Sequence, residues 1–213
     1  MNEIEQWHSK TLGTAACEAL KKNGFEALFL ETGKEAAEWI RNLITPGMTV
    51  GTGGSVTLQE LNIQQIVAEA GADVLFHSRK ELSPEEKMEI MRAQLTCDLF
   101  LSSTNAVTLA GELYNIDSNG NRVAALTFGP KKTVVVVGWN KIVKTMKDAE
   151  ARLELLASPP NNKRLGTGTP CATTGYCVDC QSENRICRVY TVLRRKPAKS
   201  DFTVLIVGER LGY

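Results

Sequence analysis

The sequence predicts an α/β domain: a mostly parallel sheet with helices on both faces, plus a β-hairpin and a cysteine-rich C-terminal segment. Three observations carry that expectation. Helix and strand signals alternate strictly from residue 2 to residue 102, the pattern of parallel strands joined by crossover helices. Thr133–Val137 is an unbroken β-branched run, which suits a strand buried on both faces. Four of the six cysteines lie between positions 171 and 187, in a stretch with no apolar period. The 213 residues suit one sizeable domain, long enough to bury a core without staples, so 1–213 reads as one unit with 158–188 as a metal-binding segment inside it.

Asn2–Lys22 reads as a helix, with Ile4, Trp7, Leu12, Ala16, Ala19 and Leu20 on a rough apolar face and Asn23-Gly24 as its stop. Phe25–Leu30 is a strand. Thr32 and Glu35 have capping-box spacing and open a helix through Ile44, and Pro46-Gly47 makes the turn after it. Met48–Thr52 is a strand, and Thr57 with Glu60 is read as the capping box of the next helix, which ends at Gly71. Val74–Phe76 is a strand. Ser83-Pro84-Glu85-Glu86 combines an N-cap, a first-turn proline and acidic residues, so a helix runs to Thr96. Leu99–Ser102 is the next strand. Val107–Ile116 and Arg122–Leu126 then flank Asp117-Ser118-Asn119-Gly120-Asn121, which reads as a hairpin turn. Asp148–Leu156 is a helix expected to stop before Pro159-Pro160. Residues 158–188 read as a long loop, and Phe202–Val207 as the last strand.

Composition narrows the function. The formal net charge is +1, so no global field favours nucleic acid or an anionic membrane. Arg194-Arg195-Lys196, the most basic run, reads as a solvated strand end. The most apolar stretches are strand-length and too short to span a bilayer. The polar, acidic N-terminus has no leader pattern, so a cytoplasmic location is expected.

In a reducing compartment, clustered cysteines argue for metal before disulfide. The spacing is Cys171-x5-Cys177-x2-Cys180-x6-Cys187. The Cys177/Cys180 pair can bite one ion, and the outer two complete four thiolates, a set accepted by both zinc and iron–sulfur clusters. The alternative is a set of reduced structural or redox cysteines. Cys17 and Cys97 stand alone in apolar contexts.

A second site is expected around Gly51-Thr52-Gly53-Gly54-Ser55, between a strand and a helix, where backbone N–H groups can approach an anion. It is neither a Walker loop nor a GxGxxG fingerprint. Asn105, which comes after the Leu99–Ser102 strand, and Gly129 with Lys131 in Phe128-Gly129-Pro130-Lys131-Lys132 are placed beside it, because ligands of open α/β sheets bind outside the carboxyl ends of the strands. Together these groups would suit a phosphate or carboxylate. His77 could face the same rim but reads first as an ordinary exposed histidine. Glu112, a carboxylate read as lying in a strand, is the one candidate for catalysis, as general base or nucleophile, and otherwise faces outward.

The ordered set Gly51-Thr52-Gly53-Gly54-Ser55-Val56-Thr57-Leu58, Thr104-Asn105-Ala106-Val107-Thr108, Asn115 to Val123 and Phe128-Gly129-Pro130-Lys131-Lys132 resembles the LUD, or lactate-utilisation, family over nearly the whole chain. The resemblance implies a fold similar to ribose-5-phosphate isomerase and the CoA transferases. It also implies a setting in a multi-component, iron–sulfur-containing system that oxidises lactate to pyruvate. Ala110-Gly111-Glu112-Leu113 does not match the nucleophile motif of the CoA transferases, and no isomerase acidic motif is evident, so neither activity carries over. Three functions compete. One is an electron-transfer or accessory component of lactate oxidation, with an iron–sulfur or zinc centre on the four cysteines. Another is a non-catalytic module that binds a small anionic metabolite. The third is an isomerase or transferase using the Gly51–Ser55 loop. Other lactate-oxidation subunits are the partners the first would need.

Overall fold

The computed structural model describes residues 1–213. Its first half holds α1 (Glu3–Lys22), β1 (Glu26–Leu30), α2 (Gly33–Arg41), β2 (Thr49–Thr52), α3 (Val56–Glu60), α4 (Ile63–Glu69), β3 (Asp73–Phe76), α5 (Pro84–Ala93) and β4 (Leu99–Ser102). Next come β5 (Ala106–Thr108), β6 (Leu113–Asp117), α6 (Asn121–Thr127), β7 (Lys132–Gly138) and β8 (Ile142–Val143). The chain closes with α7 (Met146–Arg152), α8 (Ser158–Leu165), α9 (Cys171–Thr174), β9 (Val189–Leu193) and β10 (Asp201–Val207).

Six strands form one parallel sheet in the order β1-β10-β7-β4-β2-β3. This is the expected architecture. The β-branched run shows why it holds. Val135 and Val137 enter the core under α1 with Leu20, Phe100 and Phe202, while Val134 and Val136 enter the opposite core with Ile40, Leu58 and Leu205. Period-two alternation thus feeds two cores from one strand, and each fully buried valine or leucine contributes about 1.5–3 kcal/mol. Because all six strands are parallel, their carboxyl ends share one edge, and the loops that leave them are brought together there.

A second, mixed sheet runs β8-β5-β6-β9. It corrects the expected hairpin. Val107–Ile116 is two strands, β5 and β6, paired antiparallel across a turn in which Gly111 has φ +78°. Asn121–Thr127 is helix rather than the second arm. The Asp117–Asn121 turn opens a helix as readily as a hairpin: Gly120 takes φ +82° at the N-cap position, and Asp117 Oδ2 accepts the Val123 N–H at 3.1 Å. The strand β9, which no alternation announced, pairs with β6 from Leu113↔Leu193 to Asp117↔Val189.

Two further boundaries differ. Ser55, not Thr57, caps α3, its Oγ accepting the Leu58 N–H at 3.4 Å. The expected single helix to Gly71 breaks at Asn62 (φ 53°) into α3 and α4. The helix expected to end before Pro159-Pro160 instead runs through them. Leu153–Ala157 winds as a π-turn, and the two prolines are the second and third residues of α8, in its first turn, where a missing N–H costs little. Gly166, at φ 64°, ends α8.

Candidate functional site: a cationic cleft at the carboxyl edge

A cleft of about 390 Å³ opens at the carboxyl edge of the six-stranded sheet. Its floor is built by the residues that leave the strands: Gly53, Gly54 and Ser55 after β2, His77 and Ser78 after β3, Ser103 and Asn105 after β4, and Lys141 after β7. The turn after β6 and the start of α6 form one wall. Ser158, Asn161 and Arg164 of α8 form the other, with Ile186 of the cysteine segment. Arg164 Nη2 reaches across to the Gly54 carbonyl at 3.4 Å, tying this wall to the glycine loop.

Lys141 is the centre of the electrostatics. It is 3% exposed, and its Nζ donates to Thr57 Oγ1 at 2.8 Å and Ser103 Oγ at 3.0 Å. No carboxylate forms an ion pair with it; the nearest acid felt is Glu60, whose own Oε2 accepts the Gly212 N–H. Burial, reinforced by the positive charges of Arg152 and Arg122, lowers its pKa to about 7. Capping by Ser55 leaves Thr57 free to be a lysine partner.

Arg122 shapes the wall. Its guanidinium donates to the carbonyls of Ser103 (3.1 Å) and Ile116 (2.7 Å) and to the side-chain oxygens of Asn115 (2.6 Å) and Asn105 (3.2 Å). Burial pushes its pKa down, opposed by Asp117, whose carboxylate is 4.0 Å away. Arg152, 5% exposed, donates to the Asn105 carbonyl at 2.7 Å, and burial lowers its pKa to about 10. With Arg164, four cations are therefore held in or beside the cleft by backbone carbonyls, amides and hydroxyls, with a single carboxylate at the edge of contact. Gly53 leaves open space where a Cβ would stand, and at Gly54 a Cβ would meet Ser78 Oγ at 3.3 Å. The Nδ1 of His77 and the Tyr213 hydroxyl, both in the cleft lining, have no hydrogen-bond partner. Burial lowers the pKa of His77. The arrangement can hold an anion, and it offers an amine that loses its proton near neutrality.

The LUD domain profile matches residues 14–207. The chain belongs to the LUD-domain family. No curated protein sequence matches the chain. Among solved structures, a DUF162 family protein from Deinococcus radiodurans, with a crystal structure at 1.70 Å resolution, superposes with a TM-score of 0.56 at 15% identity. The superposition covers 93% of this chain and 98% of that one, a likeness of fold.

In this LUD domain the expected ligand residues separate into two groups. Gly53, Gly54, Ser55 and Asn105 line the cleft. Gly51 and Thr52 lie within β2, buried: a Cβ on Gly51 would meet Phe100 at 3.0 Å and Cys97 Sγ at 3.1 Å, and Thr52 gives its carbonyl and hydroxyl to Gln94 and Gln64. Gly129 and Lys131 are at the opposite edge, before β7 begins. Lys131 donates its N–H to the Cys97 carbonyl and its Nζ to Asp98 at 2.7 Å. Their placement beside the glycine loop was an error of direction along the strand. Glu112 lies in the turn ahead of β6, outside the cleft, where its carboxylate takes Arg194 Nε at 2.9 Å and Thr108 Oγ1 at 3.2 Å. It is not poised as a base for a ligand in the cleft.

Cys171 is buried, and Cys177, Cys180 and Cys187 are half-buried, all as free thiols. No three His, Cys, Asp or Glu side chains converge on one point. Burial chiefly raises the pKa of Cys187, and the charges of Cys177 and Cys171 add to the rise, opposed by the Ser158 hydroxyl and Arg185. Ser158 also lines the cleft, as does Ile186 next to Cys187. The cysteine segment and the cationic cleft, expected to be separate sites, thus share a wall. Lys141 and Arg122 were missed by sequence reasoning. The signal that could have found them was Lys141 itself, the first cation after the buried run of β7, where a parallel sheet presents its loops.

Proposed function

We propose that this LUD-domain chain binds a small anionic metabolite in the carboxyl-edge cleft, as the ligand-holding component of a lactate-utilisation system. One observation carries the reading: the Lys141 ammonium is buried in the cleft with hydroxyl partners and no paired carboxylate. A buried cation without a counter-ion is costly, and an anionic ligand supplies the missing charge. Arg122, Arg152 and the open Gly53–Gly54 backbone add to the positive potential.

The test is a thermal-shift series with lactate, pyruvate and inorganic phosphate. At least one anion is expected to raise the melting temperature of the wild-type chain, with the shift lost in Lys141→Met and kept in Lys131→Ala. If none of the anions moves the wild-type transition, the reading fails.

Beside the cleft, Cys171, Cys177, Cys180 and Cys187 are proposed to hold a zinc ion or an iron–sulfur centre. Support comes from the donor chemistry of four thiols within 17 residues of sequence, on a segment with little core of its own; their convergence would accompany binding. Zinc would lock the cleft wall, and a cluster would supply one-electron transfer. Anaerobically purified protein with broad visible absorption that dithionite bleaches supports the cluster. A colourless protein with stoichiometric zinc supports the structural ion, and protein with neither, after metal reconstitution, removes both.

A further inference from the structure

We propose that Lys141 is a carbonyl-capturing amine: its Nζ forms an imine with a small oxo compound that carries an anionic group. The inference rests on the anion-binding reading of the cleft and goes beyond it by assigning a covalent step to one atom.

The geometry supplies the three requirements of such a lysine. The first is position. Lys141 lines the cleft at the carboxyl end of the central strands β4 and β7, its Nζ held by Thr57 Oγ1 and Ser103 Oγ at 2.8 and 3.0 Å. Two hydrogen bonds to hydroxyls occupy two of the three directions around the nitrogen that the side chain leaves open. The second is the state of the amine. Lys141 is walled by Arg152 and Arg122, the only acid it senses is Glu60, and no carboxylate pairs with it, so its surroundings disfavour the ammonium form. Other lysines of the chain contrast with it: Lys131 and Lys132 are both ion-paired to aspartates at 2.7 and 2.8 Å. The third is a handle for the ligand. Gly53 and Gly54 present bare backbone to the cleft, and Arg122 and Arg164 stand on its two walls. A carboxylate or phosphate held there would bring the rest of the ligand into the same cleft that Lys141 lines.

The step balances without a redox partner. The nitrogen lone pair adds to the carbonyl carbon, and a proton passes from nitrogen to the former carbonyl oxygen. The resulting carbinolamine takes one proton from solvent and expels water, leaving a C=N iminium. Thr57 Oγ1 and Ser103 Oγ, whose own hydrogens go to the Leu211 and Thr104 carbonyls at 3.4 and 3.3 Å, hold the nitrogen in place, and the protons are exchanged with solvent. The iminium restores a positive charge opposite the bound anion. It also makes the adjacent carbon an electron sink, as nucleophilic lysines do with carbonyl substrates.

The experiment is reductive trapping on the full chain. Wild-type protein is incubated at neutral pH with pyruvate, glyoxylate or dihydroxyacetone phosphate, together with cyanoborohydride, and modified lysines are located by peptide mass mapping. At pH 7 an amine of pKa about 7 is roughly half unprotonated, whereas one of pKa about 10.4 is unprotonated at the level of roughly one part in 10³. Labelling of Lys141 at least ~100-fold above the exposed lysines is therefore expected, with unchanged labelling in Lys131→Ala and none at position 141 in Lys141→Arg. The two acids and the phosphate differ in the anionic handle, so their relative yields show which handle the cleft prefers. Labelling spread evenly over surface lysines, or no adduct at Lys141 with any of the three, overturns the proposal. Since trapping is read on the wild-type chain, a poorly folding variant does not obscure it. Lactate, which has no carbonyl, separates the two levels. A thermal shift with lactate and pyruvate but no adduct leaves the anion site standing and removes the imine. An adduct at Lys141 with no thermal shift from lactate, pyruvate or phosphate keeps the imine and removes the anion-binding reading.

Discussion

The two edges of the parallel sheet carry similar residue chemistry put to opposite use. At the amino edge, Gly129 and Lys131 form a closed turn. The Lys131 side chain is 77% exposed and paired with Asp98 at 2.7 Å, and this pairing raises the Lys131 pKa and holds the Asp98 carboxyl well below the usual range. At the carboxyl edge, Gly53, Gly54 and Lys141 form an open cleft, and Lys141 is 3% exposed, without a carboxylate, with its pKa driven down. A glycine and a lysine close together in sequence therefore say little about ligand binding. What decides is whether the cation already has its counter-ion and whether water can solvate it.

That contrast can be broken in several ways. The largest effect is expected from Gly129→Ala. The new Cβ would clash with the Leu95 carbonyl oxygen at a residue with φ +132°, so a loss of about 3 kcal/mol or more is expected in urea unfolding, with ligand response intact in the folded fraction. If instead Gly129→Ala folds normally and loses the ligand response, the amino edge is a binding edge after all. Next comes Arg122→Met. It strands the acceptors on Ser103, Asn105, Asn115 and Ile116, and is expected to cost about 3 kcal/mol as well as weaken the anion-dependent thermal shift.

The pH dependence sharpens the contrast further. Lys141 binds its proton less well folded, at about 7, than an unfolded lysine does, at about 10.4. Below pH 7 both states carry the proton and the burial penalty is complete. Between the two values the unfolded chain holds more protons, so stability rises with pH at up to about 1.4 kcal/mol per unit; above both, the contribution is gone. Wild-type stability is therefore expected to climb relative to Lys141→Met from pH 7 to pH 9. A constant difference between the two would show that Lys141 keeps its proton. The smallest effect is expected from Lys131→Ala, whose exposed pair with Asp98 is screened by solvent, so that neither urea unfolding nor the anion response changes appreciably.

Much of the fold was legible because its signals are local. Capping boxes at Thr32/Glu35 and Ser83/Glu86 start helices where their spacing says, and both hydrogen-bond pairs are present in each. Where one local signal serves two structures, the reading failed. Asp117–Asn121 suits a hairpin turn and a helix start equally, and the packing of Arg122 against β6 and the loop after β4 accompanies the helix. The prolines at 159 and 160 stop a regular α-helix, but a π-turn just before them absorbs the missing donors, which sequence spacing does not announce.

By itself, the sequence determined the parallel α/β architecture, since the periodicity of Thr133–Val137 and the helix–strand alternation depend only on neighbours along the chain. It also located the Gly53–Ser55 loop and the cysteine-rich segment. Only the tertiary structure decided that Lys141, 84 residues from Thr57 and 38 from Ser103, meets both hydroxyls, and that Lys131 faces the other way. It also set the cysteine segment against the cationic cleft. A charge is tuned by burial and by what lies within a few ångströms, and both are properties of the folded packing, where distance along the chain no longer measures distance in space.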